Sequence, residues 1–283
     1  MKQSTFYYLL RRGVIGGGGS SGGFDADYQA ILDRSTALGY TAPSASQQTL
    51  QNTLVTDLKT AGVWDKLDVF YCFATDGDSD FATLNWKTPA SFQLTKTNSP
   101  TFTTNEGFAQ SGTAYLDSGY NLSTDGTNYT QDDASVFVGF PTMSSTTQSN
   151  SRALGDSSTA NYVGLRIDVN GSNAVNRIWL NSSAYIQQDY YKVNNSILFA
   201  NRTSSTDVSG RSTDLANDLT YINSGSATSS SLPSETILLL KGRATDYFEQ
   251  TASIGIAAAG ASLTTAEMEA VETAWYTNYF TSL

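Results

Sequence analysis

The sequence predicts a mainly β protein: a two-sheet antiparallel sandwich preceded by a helical pair and closed by a C-terminal helix. Three observations carry this expectation. Hydrophobic residues make up 39% of the 283 positions and charged residues 15%, with Ser, Thr, Asn and Gly filling the difference. That balance suits strands with one face in water. Apolar residues recur at helical spacing only near the two ends, and between them the period changes to alternation in short segments separated by polar turns.

The chain opens on an arm, residues 1–24, with Lys2, Arg11 and Arg12 and no acidic residue. An apolar run, Phe6 to Leu10, leads into "GVIGGGGSSGGFDADYQ" at 13–29, where Gly17, Gly19 and Gly22 stand at the spacing of a nucleotide-binding loop. Such a loop needs a strand–turn–helix and then a parallel strand within about 30 residues. Here a helix, a turn and another helix follow. Seven glycines among the eleven residues 13–23 match almost any glycine spacing. The stretch reads as a flexible tether that becomes ordered when the arm meets its partner.

Residues 25–64 read as a helical hairpin. Asp25 or Asp27 can cap a first helix carrying Tyr28, Ile31, Leu32 and Leu38, with Gly39 as its stop. "TAPSAS" makes the turn. Ser46 can cap a second helix bearing Leu50, Leu54, Leu58 and Ala61, ended by Gly62 in the left-handed position.

Residues 65–283 read as the sandwich. "DVFYCFA" is a buried strand, and Cys72 within it is a small core residue. "NYVGLRIDV" puts Val163, Leu165, Ile167 and Val169 on one face and Arg166 and Asp168 on the other. "ASVFVGF" and "TASIGIA" alternate similarly, and "ETILLLKGR" suits a strand covered on both sides. "NLSTDGTNYTQDD" and "INSGSATSSSLPS" read as turns. In the closing helix Thr264 and Glu267 stand at capping-box spacing, ahead of a stripe of Met268, Val271 and Trp275.

Charge and residue inventory narrow the chemistry. Beyond residue 24 the chain holds 13 basic against 26 acidic residues, a body that repels nucleic acid. With no histidine, Ser-His-Asp, Cys-His and HExxH sites are excluded; one cysteine excludes an intrachain disulfide and thiolate clusters. "FYYLL" is too short to span a membrane or to serve as a signal core. Cytoplasmic synthesis is expected. Six Asn-x-Ser/Thr sequons (Asn121, Asn128, Asn170, Asn181, Asn194 and Asn201) follow from composition and carry no glycosylation message without a secretion signal.

Three stretches carry a resemblance. "ALGYTAPSASQQTLQNTLVTDLKTAGVWDKLDVFYCFATDGDSDFATLNWKTPASFQL" resembles a segment of tailed-bacteriophage structural proteins that precedes a concanavalin A-like (laminin-G-like) jelly roll. "EGFAQSGTAYLDSGYNL" resembles the early strand pair of that fold, and "SIGIAAAGASLTTAEMEAVETAWYTNYFTSL" its last strand and closing helix. The resemblance implies a jelly-roll virion protein. It is expected to be made in the host cytoplasm, to be oligomeric in the particle, and to reach other virion proteins through Phe6, Tyr7, Tyr8, Arg11 and Arg12 of the arm. It leaves head, neck, baseplate and fibre open, and the fold serves lectins, glycanases and structural proteins alike.

Three kinds of site come into question. Jelly-roll glycanases similar to this fold carry E-x-D-x-x-E on one strand, where alternation points the carboxylates to one face. No such match exists: Asp246 and Glu249, like Asp65 and Asp68, are three apart and fall on opposite faces. A binding protein, not an enzyme, is expected; a glycan hydrolase with carboxylates from separate strands stands as an alternative. For metal, Asp76, Asp78 and Asp80 open like a calcium loop, but Phe81 and Lys87 replace the Gly and Glu of an EF-hand. A polar turn with Gly77 at positive φ is the simpler reading, with calcium the other. For glycan, "NSSAYIQQDYYKVNNS" offers Tyr185, Tyr190 and Tyr191 in a loop-like setting, where tyrosine with Ser and Asn supplies flat contact and adaptable hydrogen bonds. The same rings serve equally as core and strand-edge residues. The expected role is adhesion to host-surface polysaccharide, the runner-up a decoration or assembly protein with no ligand.

Overall fold

A computed structural model describes residues 23–143, 151–158, 162–170, 173–189, 193–242, 246–248 and 252–283. Two helices come first, α1 (Ala26–Leu38) and α2 (Ala45–Thr60). Sixteen described strands follow: β1 (Leu67–Cys72), β2 (Thr95–Thr97), β3 (Thr101–Thr103), β4 (Gly107–Ala109), β5 (Tyr115–Asn121), β6 (Ala134–Phe140), β7 (Ser151–Gly155), β8 (Tyr162–Asn170), β9 (Asn173–Ser182), β10 (Ile186–Asp189), β11 (Ser196–Arg202), β12 (Asp207–Asp214), β13 (Leu219–Ser226), β14 (Thr236–Leu239), β15 (Ser253–Ile254) and β16 (Ile256–Gly260). Helix α3 (Thr265–Glu272) runs into a π-helix over Thr273–Tyr279.

The strands form a six-stranded sheet, β1-β16-β6-β11-β12-β13, and a seven-stranded sheet, β10-β9-β8-β7-β14-β5-β2, with a small third sheet, β15-β4-β3. Every strand pair is antiparallel. The predicted two-sheet sandwich with flanking helices is what the chain forms.

Two apolar cores explain the layering. Between the sheets pack Val136, Val138 and Phe140 of β6, Val163, Leu165 and Ile167 of β8, and Ile178 and Leu180 of β9. The second core lies behind the six-stranded sheet, where Phe70, Phe137, Phe199 and Ile256 meet Tyr28, Ile31, Leu54 and Leu58 of the helical pair and Trp275 of the closing helix. Full burial of one such side chain is worth about 1.5–3 kcal/mol. Expecting one wet face per strand therefore fails here. Every residue of β6, β11 and β16 is buried, because helices roof the face that alternation alone would leave in water. Gly139 shows how close the roof lies: a Cβ there would stand 2.7 Å from the Trp275 ring. Cys72 is buried in the same layer, and burial pushes its thiol up to about 12.

Local signals at the helix ends mostly hold. Asp25 caps α1 through Oδ1, which accepts from Asp27 N at 3.0 Å. Gly39 and Gly62 take φ of +74° and +73°, and Thr264 with Glu267 forms the capping box. Four expectations need correction. Ser44, not Ser46, caps α2, accepting from Gln47 N at 3.4 Å, so the helix starts two residues earlier. Gly77 is not at positive φ; it is needed for space, since a Cβ would lie 3.1 Å from both the Phe81 ring and Thr41 O. The supposed turn "INSGSATSSSLPS" begins as strand, because Ile222 to Ser226 pair with β12 as the polar outer strand of the six-stranded sheet. The loop-like "NSSAYIQQDYYKVNNS" holds β10, whose Ile186 is drawn into the core between the sheets.

Candidate functional site

The face of the seven-stranded sheet turned away from the core carries a group of aromatic and cationic side chains. Alternation places it. On β9, Ile178 and Leu180 enter the core, so Arg177 and Trp179 point outward. On β7 and β8, Arg152 lies opposite Arg166 and Gly155 opposite Gly164, on the side away from Leu154 and Leu165. Tyr185, in the turn between β9 and β10, closes over the same face and remains 46% exposed.

At the β9 end the Tyr185 ring centre is 5.1 Å from that of Trp179. The Arg177 guanidinium lies 5.2 Å from the Tyr185 ring and donates from Nε to Gln187 Oε1 at 3.2 Å. Beside them, Arg152 is 4.6 Å from the Trp179 ring centre, with Nε donating to Asp246 Oδ2 at 2.9 Å. Arg152 is only 2% exposed. Three glycines make its channel: a Cβ would meet Arg152 atoms at 2.7 Å from Gly164, at 2.0 Å from Gly242 and at 3.6 Å from Gly155.

The ion pair pins a hairpin across the face. Phe248 N bonds Leu240 O and Gly242 N bonds Asp246 O, and Lys241 bridges to Tyr247. At the β5 end this hairpin builds a second cluster, in which the Lys241 ammonium stands 4.1 Å from the Tyr115 ring and 5.2 Å from the Tyr247 ring. All three side chains are half-buried. Such cation–ring contacts hold a charge without neutralising it.

Among the residues singled out from sequence, Tyr185 belongs to this face. Tyr190 and Tyr191, Glu249, and the arm residues Phe6, Tyr7, Tyr8, Arg11 and Arg12 lie outside the described residues. The three aspartates face different partners. Asp76 Oδ1 accepts from Ser44 N at 3.0 Å, Asp78 accepts from Thr41 N and Phe81 N, each at 2.7 Å, and Asp80 pairs with Lys96 at 2.6 Å. Burial disfavours a charged Asp78, but the Phe81 and Thr41 amides outweigh it and hold its carboxyl below the ordinary value. Among the described residues no group of three or more His, Cys, Asp or Glu stands close enough to hold a metal ion. Asp68 accepts from Tyr120 Oη and from the Asn128 and Tyr129 amides, each at 2.8 Å, and so clamps the β5–β6 loop.

Sequence reasoning missed Trp179, Arg177, Tyr115, Lys241 and Tyr247. For Trp179 and Arg177 the signal was present: "NRIWLN" alternates as regularly as "VGLRI". For the other three no local pattern exists, because β5 and the hairpin are joined only by the fold. Of the grooves on the helical side, one of 580 Å³ holds Arg211 and Tyr276, but Glu269 and Glu272 pair with that arginine. Another, of 480 Å³ between α2 and α3, is lined by Asp57, Thr60, Ala266 and Glu269 among others, with no aromatic ring.

No protein-family model matches the chain, and no curated protein matches it. Among solved structures it is similar to domain 4 of AbnA, a GH43 extracellular arabinanase from Geobacillus stearothermophilus, in complex with arabinotriose. That match has TM-score 0.44 and 10% identity, covering 74% of this chain and 98% of that one. It is similar also to the binding domain of botulinum neurotoxin serotype D (0.48, 12%, 75% and 52%). A third is the enzymatically active domain of bacteriophage CBA120 tailspike protein 2 (0.43, 8%, 64% and 30%). The chain thus spans about half of the toxin chain and under a third of the tailspike chain.

Proposed function

We propose that this chain is a virion structural protein of a tailed bacteriophage whose sandwich binds host-surface polysaccharide on the outer face of its seven-stranded sheet. The observation that carries the binding reading is the pair of clusters, Trp179–Tyr185–Arg177 and Tyr115–Tyr247–Lys241. Rings of this kind stack on the C–H faces of sugars, while the guanidinium and ammonium donate to hydroxyl oxygens. One face binds weakly; many copies on a particle bind by avidity. The virion reading rests on the resemblance of the chain's two ends to phage structural proteins, and it assigns residues 1–24 to attachment.

The role is binding rather than hydrolysis. Hydrolysis needs two carboxylates free to act as acid and as base or nucleophile. On this face Asp246 is paired with Arg152, and Asp117 accepts from Gly119 N and Thr236 Oγ1 at 2.9 and 2.8 Å.

Titration with host-surface polysaccharide tests the reading. Tyr185→Ala and Tyr247→Ala should each weaken binding about tenfold, the loss expected for an aromatic anchor. Unchanged binding in both variants would overturn the assignment to this face. Deleting residues 1–23 should leave a folded protein that binds glycan but no longer enters particles; normal incorporation would remove the attachment role.

A further inference from the structure

On the reading that the outer face of the seven-stranded sheet binds polysaccharide, we infer that its ligand is an anionic one, carrying carboxylate or phosphate groups. The chain's formal charge is −10, yet Arg152, Arg166, Arg177 and Lys241 lie on one face of one sheet, beside Asp117 and Asp246, the latter paired with Arg152. Net charge predicts the reverse, so the clustering is local.

Lys241 is the centre of the argument. Among the described residues no carboxylate pairs with its ammonium; its neighbours are the rings of Tyr115 and Tyr247 at 4.1 and 5.2 Å. The carboxylates nearby are engaged elsewhere, Asp246 by Arg152 and Asp117 by Gly119 and Thr236. Ring faces attract an ammonium through their quadrupole but accept no conventional hydrogen bond from it, and they leave its charge intact. An approaching carboxylate or phosphate oxygen completes what the rings do not, through a charge-assisted hydrogen bond. The rings meanwhile offer flat apolar surface to the sugar that carries the anion. A neutral sugar uses the rings and offers the ammonium only neutral hydroxyl oxygens, a weaker partner than an anion.

The second cluster sets the ligand's length. Tyr185, Trp179 and Arg177 belong to β9 and its turn, and Tyr115 to β5, four strand positions away. At about 4.8 Å per strand, β9 lies roughly 14 Å from β14, which leads into the Lys241–Tyr247 hairpin, and roughly 19 Å from β5. One monosaccharide cannot reach both, whereas a chain with regularly spaced anions can.

Calorimetry with the full chain tests this, using polygalacturonate as the carboxylated polymer, a sugar-phosphate polymer, and dextran as the neutral one. Binding of either anionic polymer at least about tenfold tighter than dextran, weakening as salt rises, is expected, and the tighter of the two identifies the anion. Lys241→Met, which keeps the stem, should cost about tenfold on the anionic polymer and distinctly less on dextran, where only a bond to a neutral hydroxyl is lost; Lys241→Arg should restore it. Dextran bound as tightly as the anionic polymers, with Lys241→Met silent, would overturn the inference and leave glycan binding standing. If none of the polymers bound and Tyr185→Ala changed nothing with host polysaccharide, both readings would fall.

Discussion

The guanidinium of Arg152 lies over the Trp179 ring, 4.6 Å from its centre, while its Nε holds Asp246 at 2.9 Å. Through this one side chain a β7 residue fixes both an aromatic floor and the hairpin that carries Lys241 and Tyr247. Breaking a buried ion pair by removing one partner costs about 3 kcal/mol or more, because the other charge stays buried. Arg152→Ala should therefore lower stability by about that amount in urea unfolding. Gly242→Ala, whose Cβ would meet Arg152 Cδ at 2.0 Å, should cost about 1–3 kcal/mol through overpacking. Both should weaken polysaccharide binding. A loss well under 1 kcal/mol for Arg152→Ala would show that the pair does not pin the hairpin.

Gln51 joins three elements through one buried amide. Its Oε1 accepts from Tyr28 Oη at 2.9 Å, and its Nε2 donates to Thr75 Oγ1 at 3.0 Å and Tyr279 Oη at 3.2 Å. Gln51→Leu keeps the volume but takes the acceptor from Tyr28 Oη, at a cost of about 1–3 kcal/mol. Thr75 Oγ1 keeps Gln47 Oε1 and Gly77 N, and Tyr279 Oη keeps Ala74 O. The expected loss is about 1–3 kcal/mol, read as a fall in the urea midpoint with unchanged slope. A midpoint equal to that of the parent chain would mean that the network is replaced by water at no cost.

How far these features could be read in advance depends on how local they are. The capping box of Thr264 and Glu267 and the inward row Val163, Leu165, Ile167 are written within a few residues, and both appear as expected. Gln51 was illegible because glutamine on a helix reads as a solvated face; its burial follows from Tyr28, Thr75 and Tyr279, which only the fold brings together. The full burial of β6 was hidden likewise, since Ser135 and Gly139 look like a wet side until Trp275 covers it. Of the outer face of the seven-stranded sheet, Tyr185 was visible from its polar surroundings. Tyr115 and Lys241 are 126 positions apart in sequence, and no periodicity links them.

Asn176 makes the opposite prediction. It shares the inward side of β9 with Ile178 and Leu180, is 0% exposed, and among the described residues neither Oδ1 nor Nδ2 has a hydrogen-bond partner. An unsatisfied buried amide costs free energy that an apolar residue of similar shape does not. Asn176→Leu should raise the unfolding midpoint, by about 1–3 kcal/mol. A destabilised variant would place an ordered water on this amide.

Acid should loosen the helical layer by a route that can be assigned to named pairs. Asp27 bonds Lys59 and accepts from Trp64 Nε1, and the Lys59 bond, against some desolvation, holds its carboxyl below the ordinary 3.8. Burial opposes the charge on Glu267, but Lys66 at 2.8 Å and the Thr264 amide outweigh it and hold that carboxyl below 4.5. A depressed folded-state value means that the unfolded chain binds protons first. The stabilisation is therefore complete above the ordinary values of 3.8 and 4.5 and is lost as pH falls below them. Asp27 is partly exposed, so its share is screened and modest. Urea midpoints should be flat near neutrality and fall steeply below pH 4.5. Lys59→Met and Lys66→Met should each start less stable and show a shallower fall, since each removes the partner that depresses a carboxyl. Parallel curves for parent and variants would assign the acid sensitivity to other carboxylates.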